Sequence, residues 1–310
     1  MSDVRLLDKQ ARQTGLTHQE GALDIAGRLP SLIVAAKEVA SSVMHGVHGR
    51  RRSGIGETFW QFRPFVTGES SAGIDWRRSA RDERLYVRER EWEAAHTVYI
   101  WMDRSVSMGF VSKLALQSKL DRALVLGLAA ADLLVRGGER VGILGLTRAI
   151  AARNIVEIFA ESLLAEERTT GFVAAELPPR LALDARTQAV LIGDFLSDSA
   201  EIGRVVQALT ARGARGHIVM IADPVEETFP FTGHTEFLDV DSQATLRVGN
   251  AETFRTDYVA RLAAHREAVR AAARRRGFTF LLHRTDRPAS EALLALRTRL
   301  EAEPIAAGPR

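Results

Sequence analysis

Asp103, Ser105 and Ser107 stand at alternate positions just after the apolar run Val98-Tyr99-Ile100-Trp101-Met102. An apolar run of that length, rich in β-branched and aromatic residues, predicts a buried strand. If the chain stays extended past it, alternate side chains point the same way, so one carboxylate and two hydroxyls converge at the strand's carboxyl end. In open α/β sheets that end is where ligands bind. Oxygen donors of this kind suit a hard cation: Mg²⁺ first, with Mn²⁺ or Ca²⁺ as substitutes. The same residues have a plainer use, since Asp103 and Ser105 are both good helix caps. A second acidic strand end is Asp194, after Gln188–Gly193, and Thr169 and Thr170 lie in the loop before that strand. If the two strands are neighbours, Asp103, Ser105, Ser107, Thr170 and Asp194 gather at one switch point of the sheet. Thr170 is favoured over Thr169 for the threonine position. Two protein carboxylates would leave a bound divalent ion positive enough to attract a further carboxylate from a partner.

The elements that must position these residues alternate along the chain. Strands are predicted at 98–102, 140–146, 188–193, 217–222 and 278–283. Helices are predicted at 113–136, with Leu116, Leu120, Leu124, Leu128 and Ala131 on one stripe, and at 154–166, 172–183, 199–212, through Phe254, Tyr258, Leu262 and Val269, and at 290–299. This rhythm predicts an α/β fold with a doubly wound, mostly parallel sheet. Glu236–Val240 and Ala244–Val248 flank a polar turn and predict a β-hairpin insertion near residues 225–250. Ahead of the sheet, Thr17–Arg28 and Ser31–Met44 predict two helices separated by Pro30, and 59–66 and 85–92 predict two strands. Three regions follow: a helical extension over 1–44, a segment over 45–95 whose two strands pack on the sheet, and an α/β domain over 96–302.

The 310-residue chain has no cysteine, which excludes disulfides, thiolate catalysis and zinc–sulfur sites. It carries no apolar stretch long enough for a membrane span, and its first residues lack the apolar core of a signal peptide; a cytoplasmic location is expected. The formal net charge is only +3, and arginine supplies almost all the basic residues, with four lysines: Lys9, Lys37, Lys113 and Lys119. The clusters Arg50-Arg51-Arg52 and Arg274-Arg275-Arg276 have no interleaved aromatics, so nucleic acid is not an expected partner. The run Ile74-Asp75-Trp76-Arg77-Arg78-Ser79-Ala80-Arg81 sets a large aromatic among charges, and predicts a buried or interfacial network in which Asp75 pairs with Arg77, Arg78 or Arg81.

Asp103-Arg104-Ser105-Val106-Ser107 is similar to the Asp-x-Ser-x-Ser motif of the metal-ion-dependent adhesion site in von Willebrand factor A domains. Together with Ile74–Arg81, Glu93, Gly137–Gly142 and Gly193-Asp194-Phe195-Leu196, it makes the chain resemble the bacterial family DUF58, a von Willebrand A-like branch. Gly68-Glu69-Ser70 departs from that family's frequent Gly-Asp-Asp. The resemblance implies a protein-binding module that acts with a MoxR-type AAA+ ATPase in chaperone-like assembly or maturation, and it implies no catalytic activity. A metal-free interaction scaffold is the alternative. A phosphoesterase using Asp103 as nucleophile is less favoured, because Ser105 stands where an acid/base carboxylate is needed and the sequence shows no lysine near a later strand end.

Overall fold

The computed structural model describes residues 25–45, 59–66, 70–71, 74–81, 84–90, 96–169, 173–238 and 245–302. Thr170, the Arg50–Arg52 cluster, Gly68-Glu69, Glu93 and the first predicted helix start at Thr17 lie outside them. The chain divides into two compact units, residues 48–95 and the remainder.

The larger unit begins with α1 (Ile25–His45). It continues through β3 (Thr97–Met102), α3 (Lys119–Arg136), β4 (Arg140–Ile143), α4 (Ile155–Glu167), β5 (Thr187–Gly193), α5 (Ser199–Thr210), β6 (Arg215–Ala222) and α6 (Pro224–Thr228). The hairpin strands β7 (Thr235–Leu238) and β8 (Thr245–Val248) follow, then α7 (Glu252–Arg274), β9 (Phe278–Arg284) and α8 (Ala289–Ala302). Five strands form one parallel sheet in the order β4-β3-β5-β6-β9. The chain leaves β3 for β4 on one side and returns to β5 on the other, so the switch point lies between the carboxyl ends of β3 and β5. This is the expected doubly wound α/β architecture, and the hairpin β7–β8 lies where an insertion was predicted.

The sheet is buried on both faces. One face packs Ile100, Met102, Val190 and Ile192 under α3, α4 and α8; the other packs Trp101, Leu191 and Met220 under α5 and α7. Helix α3 is apolar almost all round, a pattern that requires cover on every side. The sheet supplies one side. Ile25, Leu29, Leu32, Ala36 and Ala40 of α1 join the same core. Arg28 pairs with Asp121 of α3, and Lys37 with Glu157 of α4. Gly127, in the middle of α3, lets the helix come close to the sheet: a β-carbon there would lie 2.2 Å from the Met102 sulfur.

Several local expectations change. Residues 25–45 form one helix across the predicted break, since Pro30 sits on the exposed side of α1 while Leu29 and Leu32 on either side are buried. Burial of the flanking leucines outweighs proline's propensity. Helix α3 starts at Lys119, not Lys113, and Leu116 is 99% exposed instead of on the buried stripe. Residues 173–183 are irregular throughout, where a helix interrupted at Pro178-Pro179 was predicted; the two prolines withhold two backbone donors.

In the smaller unit, β1 (Phe59–Pro64) and β2 (Tyr86–Arg90) pair antiparallel in a sheet of their own. The expected Asp75 network takes a different form. The Asp75 carboxylate caps the short helix α2 (Trp76–Ser79), accepting the Arg78 backbone N–H at 2.9 Å. Ser79 Oγ donates to the Asp75 carbonyl at 2.8 Å and accepts the Tyr86 N–H at 2.9 Å, fastening α2 to β2. The Arg78 guanidinium lies over the Tyr86 ring, 4.6 Å from its centre. Trp76 is exposed, not buried. Arg77 and Arg81 are exposed as well.

His217, on β6, is buried between Thr279 Oγ1 (2.8 Å) and Gln188 Oε1 (3.2 Å). Burial, with the Arg299 charge adding to it, lowers its pKa to about 4. Between the ordinary value of 6.5 and about 4, the unfolded chain therefore holds a proton that the folded chain does not, so stability falls as pH drops through that window and levels off below it. His283, lowered likewise to about 4, first by burial and then by Arg122, adds to the same slope. His217→Gln should make the pH dependence of the urea midpoint between pH 7 and 4.5 shallower, by on the order of 3 kcal/mol across the window. An unchanged slope would show that His217 does not titrate between the folded and unfolded states.

Candidate functional site

Register decides what meets at the switch point. Met102 pairs with Ile192, and the Asp103 N–H continues the ladder to the Ile192 carbonyl at 2.8 Å. Asp103 therefore lies against Gly193, and Asp194 follows one residue on. The Asp103 carboxylate turns back to accept the Ser105 N–H at 2.9 Å. The hydroxyls of Ser105 and Ser107 are 3.1 Å apart, and Ser107 Oγ donates to Asp194 Oδ2 at 2.9 Å. Of the predicted set, Asp103, Ser105, Ser107 and Asp194 thus come together. Thr169 does not join them: its hydroxyl donates to the Ala165 carbonyl at the end of α4.

The loop between Asp103 and α3 is not extended. Val106–Gly109 forms a 3-10 turn, with the Met108 N–H donating to the Ser105 carbonyl. Ser105 and Ser107 face each other across that turn. Arg104 points away and pairs with Glu166 and Glu167 at the end of α4. On the β5 side, Phe195 takes a left-handed backbone (φ 48°), which is costly for a bulky residue. The turn folds the Leu196 N–H back to Asp194 Oδ1 at 3.3 Å and buries the Phe195 ring beside Trp101. Its carbonyl meets His265 Nε2 at 2.7 Å.

The group that sequence reasoning missed is Lys119. Its ammonium, 2% exposed, lies 2.9 Å from Asp194 Oδ2 and 2.7 Å from Glu226 Oε1. A lysine does stand at a later strand end, contrary to the expectation that argued against phosphate chemistry. Burial pulls its pKa down, but the Asp194 and Glu226 carboxylates outweigh burial and hold it above the usual lysine value. The signal was faint. Lys119 is the first residue of α3, where the helix dipole disfavours a cation, so the position calls for an anion nearby. Glu226 is also the capping-box glutamate of α6, with Asp223 as its cap. Asp223 Oδ2 accepts the Ser112 N–H at 3.0 Å and so holds the loop that precedes α3.

The charges do not balance evenly. Asp103 is almost fully buried, and its pKa is pushed up to about 7, first by burial and then by the negative charge of Asp194. The cluster is short of positive charge on the Asp103 side. A hard divalent ion, the group that the resemblance implies, fits the donor chemistry: two carboxylates and two hydroxyls, all oxygen. Among the described residues no three His, Cys, Asp or Glu side chains form a metal-binding group, so the serines are indispensable to such a site. Lys119 already occupies one of the carboxylate oxygens.

The profile described as "Protein of unknown function DUF58" matches residues 61–268. The chain belongs to this family. It is also 27% identical over 280 residues to uncharacterized proteins of Mycobacterium tuberculosis and Mycobacterium bovis, covering 85% of this chain and 86% of those. Two solved structures align with 67% of the chain and all of their own length. One is a conserved hypothetical protein BatB from Bacteroides thetaiotaomicron, at 13% identity and TM-score 0.38. The other is an aerotolerance-related membrane protein from Bacteroides fragilis, at 14% identity and TM-score 0.39. Among the described residues of the DUF58 chain, no helix is long and apolar enough to cross a membrane.

Gly193 is the contact that fixes the cluster. A β-carbon there would lie 2.8 Å from Asp103 Cβ and 2.9 Å from its Oδ2. Gly193→Ala should therefore push Asp103 aside and lower stability by about 1–3 kcal/mol, read from urea midpoints. A midpoint equal to wild type would mean that Asp103 can shift freely.

Proposed function

We propose that this chain is a protein-binding module that docks its partner at the carboxyl edge of the five-stranded sheet. One observation carries the reading. The polar cluster is flanked by exposed apolar side chains on the loops that build it: Val106, Val111, Leu114 and Leu116 between β3 and α3, and Leu196 after Asp194. A polar centre with an apolar border is what a contact surface needs, and isolated folding gives no reason to expose these residues together. In this reading Asp103, Ser105, Ser107 and Asp194 would hold Mg²⁺, with Thr170 as the fifth oxygen donor that the family resemblance implies. The ion would supply the positive charge that takes a carboxylate from the partner. The partner is a MoxR-type AAA+ ATPase, and the role is chaperone-like assembly or maturation; both come from the family resemblance.

The Lys119 ammonium favours a second reading, in which the same edge binds without metal. The two share the surface and differ in the cation. Turnover is not part of either reading: Ser105 cannot serve as a general acid or base, and both oxygens of the Asp194 carboxylate are engaged by neighbouring donors.

The test is capture of a purified MoxR-type AAA+ ATPase by surface-immobilised protein, with and without chelator. Leu116→Asp changes a fully exposed side chain, so it leaves the fold intact. It should weaken binding at least tenfold, as should Asp103→Ala. Loss with chelator selects the metal-dependent reading, and retention selects the metal-free one. Equal capture by wild type and both variants would end the proposal that this edge is the contact surface.

A further inference from the structure

We infer that Lys119 is a built-in competitor for the divalent cation, and that Glu226 is the acceptor to which its ammonium retreats. The inference rests on the metal-binding reading above and adds a residue to it that sets affinity. Asp194 Oδ2 receives two donors, Ser107 Oγ and Lys119 Nζ, each at 2.9 Å. A Mg²⁺ ion on that oxygen stands about 2.1 Å away, which places it within roughly 5 Å of the ammonium if the lysine stays. The lysine tip is almost fully enclosed, so the repulsion between the two cations is poorly screened. One carboxylate oxygen cannot serve both at full strength.

The structure also holds the means of exchange. Lys119 Nζ is closer to Glu226 Oε1, at 2.7 Å, than to Asp194. Glu226 is the more open of the two carboxylates. The ammonium can therefore leave Asp194 and keep a full ion pair. Without the divalent ion, Lys119 holds Asp194; with it, the lysine pairs with Glu226 alone.

Calorimetric titration of Mg²⁺, and separately Mn²⁺, into the full-length chain tests this with no partner present. Lys119→Met should bind either ion at least about tenfold more tightly than wild type. Glu226→Gln should bind several-fold more weakly, because the lysine loses its second carboxylate. Gln retains the side-chain oxygen that accepts the Asp223 N–H at 2.9 Å, so the capping box survives. Asp103→Ala should bind neither ion. If wild type binds metal and the Lys119 and Glu226 variants bind it equally well, the competitor role is overturned and the metal site stands. If neither wild type nor Lys119→Met binds either ion, the metal-dependent reading falls, and this inference with it. Binding by Lys119→Met alone supports the inference in its strongest form. If Lys119→Met does not fold, the direction of the Glu226→Gln change decides.

Discussion

Two acidic residues at the ends of neighbouring parallel strands cannot both stay charged and buried without a cation. That constraint organises the carboxyl edge of this sheet. Register brings Asp103 against Gly193, and one further residue delivers Asp194. Among the described residues the answer is one ammonium, placed on Asp194 and not on Asp103. The remaining deficit appears as the upward shift of Asp103. Removing one member of such a set leaves its counterpart buried and unpaired, which costs more than the intact cluster contributes.

The surroundings keep the cluster in place without taking part in it. Arg104 ties the Asp103 loop to the end of α4, and Asp223 holds the same loop near its far end through Ser112. The left-handed Phe195 turns the chain after Asp194, and its buried ring offsets the backbone cost. Around these fixed points the apolar side chains of Val106, Leu114, Leu116 and Leu196 face outward. The result is a buried polar centre with an apolar border.

Much of this was legible in the sequence, and for identifiable reasons. Buried strands read as continuous apolar runs, so β3, β5, β6 and the shorter β9 were recognisable, as were the acidic ends Asp103 and Asp194 of β3 and β5. Convergence of Asp103 and Asp194 follows once those strands are neighbours. What the sequence hid depended on tertiary contacts. Pro30 reads as a helix break, but the burial of Leu29 and Leu32 carries α1 through it. Leu116 shares the spacing of the buried leucines in α3 yet lies before the helix begins. Asp75 reads as an ion-pair partner among arginines and is instead a cap. Lys119 gave only a faint signal as a site residue, because its partners come from 75 and 107 positions away. No local pattern encodes that meeting.

The enclosure of α3 limits how this edge can respond to anything that arrives. With the sheet beneath it, α1 across it and Gly127 seated against Met102, the helix has no room to slide or rotate. The Cα of Lys119 is therefore a fixed anchor, and only the flexible methylene arm beyond it is left to swing. A change of charge at the sheet edge is accommodated by that arm, with the backbone standing still.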